Sequence, residues 1–188
     1  MKFIADKTIV GEELKEIDSL PAEFDNCIFQ NCDFTGYNLT DCRFTDCKFK
    51  DCNLSLVKIL NVSFRDVEFI SCKMNGLRFD TCNPSALNFS FANCNLSYSC
   101  FQGSKIKKTS FKSCILHEID FEECDLSESD FTECDFSGAV FVRTNLEKSD
   151  LRSSINYNID PENNRLRKAK FSYPAVLGLF GKWEIEVE

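Results

Sequence analysis

The sequence predicts a solenoid of five-residue repeats, and three observations predict it. Large apolar side chains recur at every fifth position over most of the chain. A second column of smaller side chains lies two residues before them. The composition follows this pattern, with 19 Phe and 12 Cys but only 7 Gly and 4 Pro among 188 residues. A short fixed period is typical of solenoids, in which each unit packs only on its neighbours.

The column of large residues falls into two registers. The first steps by five from Phe24 to Phe89 and is broken only by Pro84. The second steps by five from Phe91 to Leu151 and contains only Phe, Leu and Ile. Together the registers hold 16 of the 19 phenylalanines. Neither the 3.6-residue period of a helix nor the two-residue period of a strand produces that distribution.

Eleven of the twelve cysteines occupy the column of small residues, and Cys100 is the exception. Strict placement at one inward position predicts small apolar side chains packed beneath phenylalanine rings, and neither a metal site nor a disulfide framework. Stacked neighbours about 4.8 Å apart are also further from one another than the roughly 3.8 Å between the Cβ atoms of a disulfide. Cys100 falls on an outward position, so we expect it to be the reactive thiol.

Each unit therefore offers one large and one small side chain inward and three polar positions outward, as in Asn31–Thr35. This pattern resembles the pentapeptide-repeat family over at least Phe24 to Leu151. The resemblance implies an all-β fold, a right-handed quadrilateral β-helix with one unit on each side, so that residues twenty apart stack on one another. One such interior ladder is expected to contain Phe29, Phe49, Phe69 and Phe89.

The two ends of the rod need caps, since an open end exposes rings and unpaired backbone groups. Degenerate closing coils are expected where large residues return to the registers, at Ile4, Ile9 and Leu14 and at Leu166 and Phe171. The β-helix is therefore predicted to span residues 1–172, followed by a C-terminal capping or dimerisation segment, 173–188.

Between the two registers the phase slips by two residues, somewhere between Phe79 and Phe91, and this stretch contains Asn83-Pro84-Ser85. Pro and Asn suit a two-residue bulge at a corner of the coil. The alternative is a small protrusion that binds a partner.

The C-terminal segment abandons the repeat after Ser172. Pro174 and Gly181 bound a short predicted helix, and Glu184–Glu188 alternates like a strand. Its apolar side chains are too many to be hidden against one rod, so they are the candidate interface of a homodimer: Val176, Leu177, Leu179, Phe180, Trp183, Ile185 and Val187. The alternative is a segment that only caps its own rod.

Charge is concentrated near the end of the second register. Between Glu118 and Asp150, eleven acids accompany only Arg143 and Lys148, a net charge of −9. The candidate partner-binding residues, which we call the acidic belt, are Asp120, Glu122, Glu123, Asp125, Glu128, Asp130, Glu133 and Asp135. One interpretation is a solvated surface that prevents lateral association. The other is an electronegative belt that imitates the phosphate field of a DNA duplex.

Composition excludes several classes of function. A formal charge of −8 argues against direct binding to nucleic acid and suits a basic surface on a protein partner. The single histidine, His117, follows Leu116 at a solvent-facing position, so no catalytic device and no cofactor are expected, and the chain is predicted not to be an enzyme. No apolar stretch suits a signal peptide or a membrane span, so a cytoplasmic location is expected.

The tail, with its helix, turn and alternating Ile/Val strand, also resembles the ending of Qnr-type quinolone-resistance proteins. In that family the segment joins two rods tail to tail, and the acidic rod binds DNA gyrase or topoisomerase IV as a mimic of duplex DNA. Loop-bearing members have two projecting loops, whereas this sequence has one slip. The resemblance implies a DNA-mimicking, topoisomerase-binding protein related to quinolone resistance. Because the repeat specifies shape and leaves function open, the alternative is a non-enzymatic interaction scaffold with another protein partner.

Overall fold

Short parallel strands wind into a right-handed quadrilateral β-helix, as the sequence predicts. The computed structural model describes residues 1–16, 20–183 and 185. Its ten strands are β1 (Lys2–Ala5), β2 (Thr8–Val10), β3 (Ala22–Asp25), β4 (Ile28–Gln30), β5 (Arg43–Thr45), β6 (Lys48–Lys50), β7 (Ser63–Ile70), β8 (Leu87–Ala92), β9 (Ser110–Lys112) and β10 (Asp130–Thr132). Four 3₁₀ helices cover Gly11–Glu16, Phe79–Thr81, Ala175–Leu179 and Gly181–Trp183.

The register of the strands gives the length of one coil. Phe29 in β4 pairs with Phe49 in β6, twenty residues later, and Phe49 pairs with Phe69 in β7. Parallel single-residue bridges continue the same stacking where no strand is formed, for example from Asn145 to Arg165. Each coil therefore hydrogen-bonds only to its neighbours, which is the nearest-neighbour arrangement of a solenoid.

Side chains in the interior form continuous ladders. The rings of Phe29 and Phe49 stack with centroids 4.7 Å apart, and those of Phe49 and Phe69 with centroids 5.0 Å apart. Both rings of each pair lie within 20° of parallel. Offset stacking of this kind adds to the burial of each ring, and every ring in the ladder is at most 1% exposed.

The prediction that Phe89 is the fourth ring of this ladder is wrong. Phe91 stacks on Phe69, with centroids 5.3 Å apart, whereas Phe89 pairs with Val67 in the column of small residues. The turn at Asn83–Ala86 adds residues to the coil, so that Leu87 pairs with Phe64, 23 residues earlier. A bulge between Phe64 and Val67 then brings the offset to 22 at Phe89, so the change of register is completed within the pairing of β7 with β8. From Phe91 the ladder runs on through Phe111 and Phe131.

The slip itself is a tight turn. The Ala86 amide donates to the Asn83 carbonyl over 3.1 Å, and the Ser85 amide donates to the side-chain oxygen of Asn83, also over 3.1 Å. Ala86 is buried at once beneath the next coil, while Pro84 and Ser85 are exposed. The geometry is that of the expected corner bulge, and it leaves no projecting loop.

The rod is closed differently at its two ends. At the start, β1 and β2 form the expected degenerate coil, with Ile9 and Leu14 buried. At the finish, Leu166 and Phe171 are only partly buried, and Tyr157 and Ile159 from the irregular stretch fill the core there. Sequence periodicity did not identify Tyr157 and Ile159 because both lie beyond Leu151, where the second register ends.

The C-terminal segment packs on this end of its own rod. The Ile159 amide donates to the Gly178 carbonyl over 3.0 Å, and Leu179 contacts the core. The predicted short helix is present as two 3₁₀ helices, Ala175–Leu179 and Gly181–Trp183. The predicted strand Glu184–Glu188 lies outside the described residues except for Ile185. No helix in the described part of the chain is long and apolar enough to cross a membrane.

Candidate protein-binding surfaces

The four aspartates of the acidic belt lie on four different sides of one coil. Asp120 pairs with Cys100 and Val140 in one bridge ladder, whereas Asp125 pairs with Lys105 and Asn145 in another. Asp130 and Asp135 belong to the two remaining ladders. The belt therefore encircles the rod and does not run along it.

Three of these aspartates, Asp120, Asp125 and Asp135, also shape their own turns, whereas Asp130 lies in β10 and accepts a hydrogen bond from the Thr132 hydroxyl. The Asp125 carboxylate accepts hydrogen bonds from the Ser127 amide at 3.1 Å and the Ser127 hydroxyl at 2.8 Å. Asp135 makes the same two contacts, at the same distances, with Ser137. These are Asx turns, in which a side-chain oxygen binds the backbone two residues ahead. Sequence reasoning treated the belt as surface charge and missed this structural role, although the Asp-x-Ser spacing indicates it.

Asparagine makes the same turn elsewhere in the rod. The side-chain oxygen of Asn95 accepts from the Ser97 amide at 3.0 Å and from its hydroxyl at 2.7 Å. Asn53 likewise accepts from the Ser55 amide. The turn needs only a short side-chain oxygen, so the negative charge of the belt aspartates exceeds what the fold requires.

Several belt carboxylates have cationic partners from neighbouring coils. Arg143 contacts Glu122 and Glu123, with 2.8 Å separating its Nη2 from the Glu123 carboxylate. Lys107 lies 3.3 Å from Asp125, and Lys148 lies 3.3 Å from Glu128. Exposed pairs of this type are worth only about 0–1 kcal/mol. Among the described residues, the remaining belt acids that form no ion pair are Asp120, Asp130 and Glu133.

Asp135 is the belt carboxylate with the most strongly lowered pKa. Partial burial opposes its ionisation, but hydrogen bonds from Asn156 and Ser137 and the proximity of His117 outweigh that effect and lower its pKa to about 2. The His117 Nε2 atom lies 3.0 Å from the Asp135 carboxylate, and 42% of the histidine side chain is exposed. The lone histidine thus sits on the surface, as expected, and contacts a turn carboxylate.

The twelve cysteines are free thiols, and eleven of them are buried. Burial raises the pKa of the Cys47 and Cys82 thiols to about 12, so both remain protonated at neutral pH. Cys100, which the sequence predicts to be the reactive thiol, is the one cysteine that is only partly buried. Burial raises the pKa of this thiol too, and the thiolate is the nucleophile, so its reactivity stays a prediction.

The apolar residues of the C-terminal segment divide into two groups. Val176, Leu177 and Leu179 are partly buried, and Leu179 packs against the core of the rod. Phe180, Trp183 and Ile185 remain 42%, 44% and 58% exposed. Val187 lies outside the described residues. The same segment therefore closes the rod and still presents an apolar surface to solvent.

Comparison with known proteins agrees with this geometry. A family profile described as Pentapeptide repeat region matches residues 22–90 and again residues 78–151, well over half of the chain. The chain belongs to the pentapeptide-repeat family. A search of curated protein sequences finds no significant relative.

Solved structures with this pentapeptide-repeat fold include QnrB1, described as a plasmid-mediated fluoroquinolone resistance protein. A trypsin-treated variant of QnrB1 is 20% identical, with a TM-score of 0.65 over 100% of this chain and 98% of that one. Full-length QnrB1 is 22% identical, with a TM-score of 0.57 over 97% of this chain and 100% of that one. At this identity the similarity establishes a shared fold.

The described part of this pentapeptide-repeat protein contains no metal centre built from its own side chains. Residues 1–16, 20–183 and 185 contain no group of three or more His, Cys, Asp or Glu side chains arranged to hold a metal ion.

Proposed function

We propose that this pentapeptide-repeat protein is a non-enzymatic binding rod that engages DNA gyrase or topoisomerase IV, with the acidic belt imitating the phosphate charge of DNA. The observation that carries the proposal is the negative charge of Asp120, Asp125 and Asp135 at turns that an amide side chain also forms. Asp130, in β10, adds a fourth charge on the remaining side of the coil. An amide side chain would serve the fold equally well at these positions. The presence of a carboxylate therefore favours a partner that is bound through its positive charge. The fold shared with QnrB1 supports the same assignment.

A different protein partner is the second candidate, and the shape of the belt favours it. The four aspartates encircle one coil, so a surface approaching from one side of the rod meets only part of the charge. A duplex carries phosphate charge along its whole axis. The tight turn at Asn83–Ala86 also differs from the projecting loops of loop-bearing Qnr proteins. Protection from quinolones is therefore a separate proposal from binding, and both are tested in one assay.

The first prediction concerns inhibition of gyrase. We expect the protein to inhibit DNA supercoiling by purified gyrase at low salt, less so near physiological salt, and to be displaced by added duplex, because salt screens exposed charges. Changing Asp120, Asp125, Asp130 and Asp135 to Asn removes four charges but keeps a side-chain oxygen for the three Asx turns and for the hydrogen bond from the Thr132 hydroxyl. Inhibition should fall by at least about tenfold, the equivalent of 1.4 kcal/mol. Adding a quinolone to the same reactions tests protection.

The matched control removes four charges outside the belt. Asp41, Asp46, Asp51 and Asp66 occupy corner positions with positive φ, where Asn is equally at home. Their quadruple replacement by Asn changes net charge by the same amount and should leave inhibition nearly intact. Equal losses of inhibition in the two variants would mean that inhibition depends only on net charge. Absence of inhibition by the wild type would favour the second candidate, a different protein partner.

The second prediction concerns assembly through the segment 173–188. We propose that Phe180, Trp183 and Ile185 form the exposed centre of a homodimer interface. Changing Trp183 and Ile185 together to Asp should give a monomer in sedimentation velocity, because carboxylates buried at an interface without partners are costly. Leu179 is a poorer site for this test because it also packs on its own rod.

The control for assembly is Val10→Asp, at the opposite end of the rod, where the side chain is 42% exposed. That variant should sediment like the wild type. If the wild-type protein sediments as a monomer at micromolar concentration, the C-terminal segment only caps the rod and forms no dimer interface.

A further inference from the structure

One corner of the rod carries bulky apolar residues where the repeat elsewhere places small or polar ones. The Leu56 amide donates to the Asn75 carbonyl over 3.0 Å, and the Gly76 amide donates to the Ser97 carbonyl over 2.9 Å. Tyr98 makes the same bond one coil further on. Leu56, Gly76 and Tyr98 are thus consecutive rungs of one corner ladder.

The backbone at Leu56 and Tyr98 disfavours such side chains. Their φ angles are +57° and +63°, in the left-handed region that Gly, Asn and Asp tolerate best. Most other described residues in this conformation are Asn, Asp, Gly, Ser or charged. Burial does not explain the choice either, since Leu56 is 77% and Tyr98 62% exposed. Neither local conformation nor the core of the rod accounts for an apolar side chain at these two places.

The missing side chain of Gly76 opens a groove between them. A Cβ atom at Gly76 would stand 2.7 Å from Cδ2 of Leu56, so the leucine lies across the glycine. The resulting shallow cavity, about 600 Å³ in volume, is bounded by Leu56 on one side and by Tyr98 on the other. We call it the Leu56–Tyr98 groove. An apolar side chain laid in it would be covered on two sides.

The polar part of the groove is cationic or neutral. Lys73, Asn75 and Asn95 contribute to its lining, and no carboxylate does. Lys73 is exposed and forms no ion pair within the described portion of the structure. In a chain whose net charge is −8, an unpaired lysine beside an apolar groove favours an occupant that carries a negative charge.

We infer that the Leu56–Tyr98 groove docks a partner protein through a large apolar side chain that stands next to a carboxylate in that partner's sequence. The apolar side chain lies between Leu56 and Tyr98 over Gly76, and the carboxylate meets Lys73. This surface is separate from the acidic belt and attracts the opposite charge. A rod with both surfaces holds two differently charged regions of a partner, or two partners.

The probe is a short peptide of the inferred chemistry, acetyl-Phe-Asp amide, added to the full chain and followed by ¹H–¹⁵N NMR. Saturable shifts are expected at the amides of Leu56, Gly76 and Tyr98, with a millimolar dissociation constant. Acetyl-Phe-Lys amide should bind at least about threefold more weakly, because it loses the contact with Lys73. Acetyl-Gly-Asp amide should give no saturable shift, since it lacks the apolar side chain.

Two variants separate binding from folding. Leu56→Asn combined with Tyr98→Asn places a residue that tolerates positive φ at both corners, so its Tm should equal or exceed that of the wild type. The same variant should lose the peptide-induced shift at Gly76. Leu60→Asn removes another exposed leucine, 57% accessible and outside the groove, and should bind the peptide like the wild type.

Four results would overturn the inference. The first is the absence of saturable shifts at these amides, and the second is equal binding of the aspartate and lysine peptides. The third is a lowered Tm for the Leu56 and Tyr98 double variant, which would mean that these side chains serve the fold. Retention of the shift at Gly76 in that variant would have the same consequence.

Discussion

Replacing Phe69 with alanine is expected to lower the free energy of unfolding by about 3 to 5 kcal/mol. The ring is 1% exposed and stacks between Phe49 and Phe91, with centroids 5.0 and 5.3 Å away. Its removal leaves a cavity in mid-rod and interrupts the ladder between the two registers. Neighbouring coils cannot close the gap, since their backbone spacing is set by hydrogen bonds. Chemical denaturation with urea measures the effect.

An exposed apolar residue provides the comparison. Leu60→Ala alters a side chain that is 57% exposed, and its cost should stay below about 0.5 kcal/mol. A loss below about 1 kcal/mol for Phe69→Ala would be incompatible with a ring in the core.

Gly178→Ala should release the C-terminal segment from the end of the rod. A Cβ atom at this position would stand 1.9 Å from the Tyr157 carbonyl oxygen. Either the backbone of the segment or the backbone at Tyr157 must therefore move. We expect the free energy of docking of the segment to become less favourable by about 3 kcal/mol, the upper end of the usual range for an overpacked site. The Ile159 amide, which donates to the Gly178 carbonyl, then loses its protection against hydrogen exchange.

Gly181→Ala is the matched control for this prediction. A Cβ atom there would come within 2.7 Å of the side-chain oxygen of Asn158, and a flexible side chain can rotate away. Protection of the Ile159 amide should therefore survive in Gly181→Ala. Full protection in Gly178→Ala would show that the segment and Tyr157 do not approach as closely as described.

The site was less predictable from sequence than the fold. The composition of the acidic belt is visible in the sequence, and so is the Asp-x-Ser spacing of its turns at Asp125 and Asp135. The ion pairs of the belt cannot be seen in the sequence, because Arg143 contacts Glu122 and Glu123 from the next coil. The Leu56–Tyr98 groove was also hidden, since its walls are 42 residues apart in the chain.

The sequence by itself determined the repeat, the inward columns and the family, because each coil is a local unit whose two inward positions accept only a large and a small apolar side chain. Only the tertiary structure decided which rings stack beyond the slip. Phe89 is in phase with Phe69 in the sequence, yet Phe91 stacks on Phe69, because the turn at Asn83–Ala86 and a bulge in the pairing of β7 with β8 together shift the register by two residues. The period in the sequence gives the spacing of inward residues along the chain, whereas the hydrogen bonds between coils determine which of those residues stack on one another.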